Sequence, residues 1–168
     1  MNDAGELVWP NPNATGQLAG TEYLQPGSPL GWSTAVSSQP EYSQYGDLQD
    51  ALTANGYTVV PFTYDWRQSL KEVMGEFDRF VEDVRWEQDV ATVDIVADST
   101  GGLIAKRYIL DHKSVHPIRR LISIGTPYFG SPTAVAQLEG GMDKFGMHLD
   151  PTLLQSWPGF YDFLPLRT

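Results

Sequence analysis

The chain contains no cysteine. Disulfide bonds, thiolate catalysis and cysteine-ligated metal sites are therefore excluded, and the redox compartment is left open. Basic residues are scarce: 11 Lys and Arg stand against 21 Asp and Glu, a formal net charge of -10. A phosphate backbone attracts basic surfaces, so a nucleic-acid partner is not expected. An acidic surface by itself names no substrate. No apolar run approaches the roughly 18–20 residues that cross a bilayer. Met1–Gly20 has neither the basic start nor the apolar centre of a signal peptide, and localisation stays unassigned. Neither G-x-G-x-x-G nor a P-loop follows any expected strand, which weakens a nucleotide-binding reading. Nothing in the composition calls for a cofactor or a metal. Histidine is rare too. Only His112, His116 and His148 offer an imidazole base.

What is present suits one globular domain. The chain has 168 residues, 41% of them hydrophobic and 19% charged, enough for a core of its own. Residues 1–40 are rich in Pro, Gly, Asn and Ser and read as irregular, with one short strand at Glu6–Trp9. From Tyr42 the pattern sharpens. Tyr45, Leu48 and Leu52 have helical spacing, and Asn55-Gly56 is a stop signal. Tyr57–Val60 reads as a strand. Ser69 and Glu72 form a capping box, and Leu70, Val73, Met74, Phe77, Val81 and Val84 share one helical face. A buried strand follows at Val93–Ala97, a helix at Gly102–Asp111, a strand at Leu121–Ile124 and a short helix at Pro132–Leu138. Strands alternating with helices of this length imply an α/β layer structure with a mainly parallel sheet flanked by helices. Residues 133–168 are apolar, aromatic and poorly periodic, as a cap or lid over a lipid-like pocket would be.

The most informative stretch is residues 93–103. A β-branched run ends in Ala97, then come Asp98, Ser99 and Thr100, then Gly101 and Gly102, then a helix. That order matches a nucleophile elbow, in which a strand turns sharply into a helix and projects one serine hydroxyl from the top of a sheet. Small residues are required because the turn brings the helix against neighbouring strands. The serine itself must accept strained backbone angles. Ser99 is thus the candidate nucleophile. The backbone N–H of Thr100 is the candidate oxyanion donor, reinforced by the positive end of the following helix.

A serine hydroxyl needs a base to take its proton. His112 and His116 flank the exit of the elbow helix and are expected to face solvent at the end away from the serine. His148 is the remaining candidate base. Asp143, Asp150 and Asp162 are equivalent candidates for a supporting acid. Asp98 reads as a turn residue, because a carboxylate beside the oxyanion is costly unless it is paired or turned away. Asp65 and Arg67 read as a structural pair. The alternative to an enzyme is a catalytically silent α/β module that binds a lipid or a protein partner.

Four segments in order carry a family resemblance: Tyr64-Asp65-Trp66-Arg67, the elbow from Ala97 to Leu103, Gly125-Thr126-Pro127-Tyr128-Phe129-Gly130-Ser131-Pro132, and Gln155 to Pro165. Together they resemble the lecithin:cholesterol acyltransferase-like lipases of the α/β-hydrolase superfamily. The resemblance implies esterase, phospholipase or O-acyltransferase chemistry on lipid esters through a serine acyl-enzyme. It gives Ser99 the role of nucleophile and the Thr100 N–H that of oxyanion donor. Ala97 replaces the usual first glycine, Asp98 stands where histidine is common, and Thr100 stands where methionine is frequent. The family's oxyanion loop would precede residue 1, and its catalytic Asp and His would follow residue 168. The expected fold is therefore an α/β-hydrolase-like sheet incomplete at both ends, whose open edges would favour self-association.

Overall fold

The computed structural model of the chain describes residues 45–144 and 147–165. The irregular opening expected at 1–40 and its strand at Glu6–Trp9 lie outside the described residues.

Helix α1 (Gly46–Ala54) stops at Asn55-Gly56, as its sequence signal indicates. Gly56 sits at φ +85, a left-handed backbone that a Cβ would penalise. The expected strand at 57–60 is not formed. Among the described residues no strand runs beside it, and β-branched sequence makes a strand only where a neighbour takes up its backbone groups.

Helix α2 (Leu70–Glu87) opens with the expected capping box, in which the Ser69 amide donates to the Glu72 carboxylate at 3.1 Å. Its apolar stripe behaves as read. Val73, Phe77 and Val81 are buried, and Leu70 and Met74 pack against them. Strand β1 (Val93–Asp98) then leads into helix α3 (Thr100–His112), which crosses over to strand β2 (Ile118–Ile124). The two strands are parallel, with Ile95 opposite Leu121, Val96 opposite Ile122 and Asp98 opposite Ile124. Parallel neighbours need such a crossover, and α3 supplies it.

The pleat sorts the sheet into two faces. Val93 and Ile95 point to the side where α2 and α3 pack, joining Val73, Phe77, Ile104, Tyr108 and Ile118. Phe62 and Tyr64 stack into the same core, with Phe62 edge-on to Phe77 and tilted against Phe80. Val96, Ile122 and Ile124 lie on the opposite side and are exposed. The chain is thus an α/β structure, built at its centre on one parallel strand pair with helices on one face.

Beyond β2 the chain is more ordered than its aperiodic sequence suggests. Helix α4 (Pro132–Gly140) is followed by an antiparallel hairpin, β3 (Met142–Lys144) with β4 (Met147–Leu149), and by two short helices, α5 (Pro151–Gln155) and α6 (Pro158–Tyr161). Each of the three helices carries a proline in its first turn, where the missing N–H costs nothing. Met142, Leu149, Leu154, Trp157 and Phe160 form a second core with Trp66 packed against it. Among the described residues, hydrogen bonds help to tie this unit to the preceding chain. The Gly159 amide donates to the Arg67 carbonyl at 2.8 Å, and the Ser131 amide to the Phe163 carbonyl at 2.7 Å. The Leu70 amide at the start of α2 donates to the Asp162 carboxylate at 2.7 Å. A Cβ at position 159 would overlap the Trp66 carbonyl, so only glycine lets α6 approach this closely.

Candidate functional site

Ser99 stands alone between β1 and α3, as the single residue joining strand to helix. Its backbone is at φ 49 and ψ -118, a positive φ that non-glycine residues avoid. Such a conformation costs on the order of 1–3 kcal/mol and persists only where the surroundings fix it. Here the Ser99 amide donates to the Ile124 carbonyl at 2.8 Å, tying the bend to the end of β2. The Ser99 carbonyl accepts from the Gly102 amide at 3.1 Å. The side chain is exposed and makes no capping bond to α3. The bend therefore presents the hydroxyl outward, beside the first turn of α3. Amides in that turn have no intrahelical acceptor and carry the positive end of the helix dipole.

Small residues make the bend feasible. Gly102 is buried against the loop after β2, and a Cβ there would collide with the Thr126 side chain, whose own Cβ and Cγ2 would lie 2.8 Å away. The Thr126 hydroxyl is buried without a hydrogen-bond partner among the described residues. Ala97 is buried, and a Cβ at Gly101 would make ordinary contact with it at 3.5 Å. The loop after β2 is held to α3 a second way. The Lys106 ammonium lies 4.4 Å from the centre of the Tyr128 ring.

Both residues flanking Ser99 interact with the segments that precede α2. The Asp98 carboxylate accepts from the Tyr45 hydroxyl at 2.5 Å. Burial, this hydrogen bond and the Asp98 charge push the Tyr45 phenol up to about 12. On the other side, burial holds the Tyr64 phenol above its ordinary pKa; interaction with the Thr100 side chain lowers it and the Asp98 charge raises it. Next to Tyr64, the Asp65 carboxylate receives both the Nε of Arg67, at 2.7 Å, and its terminal nitrogen in a fully buried pair. The Arg67 guanidinium sits 5.8 Å from the centre of the Trp157 ring. The pair thus braces the junction of the two cores, in keeping with its reading as structural.

The histidines fall in three different settings. His112, expected in solvent, is half-buried at the end of α3. It stacks on Tyr108 at 4.2 Å between ring centres, its Nδ1 lies 2.9 Å from the Tyr108 carbonyl, and its Nε2 lies 3.3 Å from Asp78. The last turn of α3 attracts such a ring because its carbonyls are unpaired. His116 is also half-buried, with its Nδ1 shielded and unpartnered among the described residues. His148 is exposed on β4, with Nδ1 2.8 Å from the Asp143 carboxylate across the hairpin. The other two candidate acids are occupied as helix caps. Asp150 accepts from the Thr152 amide at 2.7 Å at the start of α5, and Asp162 caps α2. Among the described residues no group of three or more His, Asp or Glu is placed to hold a metal ion. No described helix is long and apolar enough to cross a membrane.

The family model for lecithin:cholesterol acyltransferase matches residues 15–156. The chain belongs to the lecithin:cholesterol acyltransferase family. It is also 27% identical over 126 residues to lecithin-cholesterol acyltransferase-like 4 of Arabidopsis thaliana, an alignment covering 65% of this chain and 23% of that protein. The chain thus spans less than a quarter of the length of this relative. Within the family match lie β1, α3 and β2, the Asp65–Arg67 pair, and the hairpin bearing His148. The bond from the Tyr45 phenol to Asp98, the residue before Ser99, was not anticipated from the sequence. A contact between residues 53 apart leaves no local signal.

Proposed function

We propose that this chain carries the nucleophile of a serine-dependent lipid ester hydrolase or O-acyltransferase with an α/β-hydrolase-like sheet. Ser99 is the nucleophile and the Thr100 N–H an oxyanion donor. The observation that carries the reading is the exposed Ser99 at positive φ, held between a strand and the N-terminus of α3. Membership of the acyltransferase family supports a lipid ester as the substrate class. Residues 133–168 take the part of a cap.

In the reaction, the Ser99 oxygen bonds to the acyl carbonyl carbon while a base takes the hydroxyl proton. The carbonyl oxygen becomes negative next to the Thr100 amide. Collapse expels the alcohol portion with a proton and leaves an ester on Ser99. Water then regenerates the serine in hydrolysis, and an acceptor hydroxyl does so in acyl transfer. Within this chain the base candidate is His148, whose ring has a carboxylate partner in Asp143 as triad histidines do.

The test is covalent. A fluorophosphonate probe is expected to label the folded chain at one site, and Ser99→Ala to abolish labelling. His148→Ala is expected to slow it at least tenfold, as loss of a general base does. A folded chain that stays unlabelled would place it instead among catalytically silent modules that bind lipid or protein.

A further inference from the structure

Asp98 sits immediately before the candidate nucleophile, and its charge ought to oppose the negative oxygen that forms there. At most about 7 Å of backbone separates the Cα atoms of residues 98 and 100. Over that distance a bare carboxylate raises the energy of a second negative charge. The side chain is not bare. It belongs to the exposed face of β1, the same side as Val96, and receives the Tyr45 hydroxyl at 2.5 Å. Its other oxygen is directed toward Gly125, where a Cβ would come within 4.0 Å. Tyr45 is the residue that caps the start of α1, so the bond also fixes that helix against the bend. A charged acceptor makes the Tyr45 bond one of the stronger kinds of hydrogen bond, and its donor places positive dipole on the carboxylate.

We infer that Tyr45 is a positioning residue for the reaction at Ser99, its hydroxyl holding the Asp98 carboxylate turned away and partly neutralised so that the oxyanion can form beside Thr100. The inference rests on the serine-enzyme reading. It adds a role that arises from this chain's own pairing of tyrosine with the aspartate before the serine.

The two ideas fail in different ways. An unlabelled wild-type chain defeats the serine-enzyme reading. A labelled wild-type chain allows Tyr45 to be tested by itself. Tyr45→Phe should then slow fluorophosphonate labelling of Ser99 roughly tenfold or more, the worth of one hydrogen bond to a charged group. Adding Asp98→Asn to that variant should restore most of the rate, because the freed charge is gone. A purely structural role predicts the opposite, since the double variant has lost the bond and the charge without regaining any contact. Labelling of Tyr45→Phe at the wild-type rate, or a double variant slower than the single one, overturns the inference. Should Tyr45→Phe not fold, Asp98→Asn alone decides: labelling at least as fast as wild type upholds the inference, and slower labelling overturns it.

Discussion

Gly102 and Thr126 stand in such close contact that no side chain fits between them: the Cβ of an alanine at 102 would lie inside the Thr126 side chain. Here α3 lies directly against the loop after β2, where only a hydrogen at position 102 leaves room for the Thr126 side chain. Gly102→Ala should therefore destabilise the chain by about 1–3 kcal/mol, the usual cost of overpacking. It should also slow fluorophosphonate labelling, because the shift moves Ser99 and the Thr100 amide together. Combining it with Thr126→Gly removes the colliding atoms and should recover much of the stability. Urea unfolding of the two single variants and the double variant measures the coupling. Simple additivity would show that the contact does not control the bend.

The Asp65–Arg67 pair makes a sharper prediction about stability. Both side chains are buried, and Arg67 lies under Trp157 where the two cores meet. Asp65→Asn keeps the shape but leaves the guanidinium without its counter-charge, and removing one partner of a buried pair costs about 3–5 kcal/mol. Replacing both at once, with Asp65→Leu and Arg67→Met, should cost less than the single change, because no buried charge is stranded. Denaturant melts of both proteins check this. A single variant as stable as wild type would mean that Asp65 is not what neutralises Arg67.

The elements that sequence reading located well are those whose logic is local. The Ser69–Glu72 box and the stripe of Val73, Phe77 and Val81 predict α2, and the small residues around Ser99 predict the bend from β1 to α3. Two kinds of feature escaped. Strands of three residues such as β3 and β4 are too short to show an alternating pattern, and their order comes from packing Met142 and Leu149 under Trp157. The segment at 57–60 has strand composition yet forms none, because pairing is a property of two segments rather than one. Ser99 was legible as the junction of strand and helix because a bend that tight needs small residues at fixed offsets. Asp98 was readable as a liability, but the partner that relieves it lies far off in sequence, at Tyr45.

Three phenols give the chain a defined alkaline limit. Tyr45 is pushed up to about 12, and Tyr64 and Tyr108 are raised as well, all mainly by burial. The unfolded chain releases these protons near pH 10, while the folded chain keeps them. Above that pH the unfolded state binds fewer protons than the native state, so stability falls as pH rises. Below pH 10 the three tyrosines contribute no pH dependence. Thermal melts between pH 8 and 11.5 should be flat at first and then decline, and Tyr45→Phe should make the decline shallower. An unchanged slope in that variant would mean that Tyr45 titrates normally in the folded chain.

Strain at Ser99 should be visible as stability gained when the serine is removed. The residue holds φ 49 with an exposed side chain and no capping bond, so the native state bears the cost of its Cβ and receives little in return. Ser99→Gly relieves a penalty of on the order of 1–3 kcal/mol and adds roughly 0.5–1 kcal/mol of backbone entropy loss. A net gain near 1 kcal/mol is expected, together with complete loss of fluorophosphonate labelling. Lys113 has the same backbone geometry, at φ 52 and ψ -122. Its glycine variant should gain comparable stability while labelling at the wild-type rate. A site kept strained for chemistry is distinguished by that contrast, in which one of two equivalent relaxations abolishes the reaction. If Ser99→Gly lowers the urea midpoint instead, the serine side chain is making contacts that hold the bend, and the strain at this position is structural in origin.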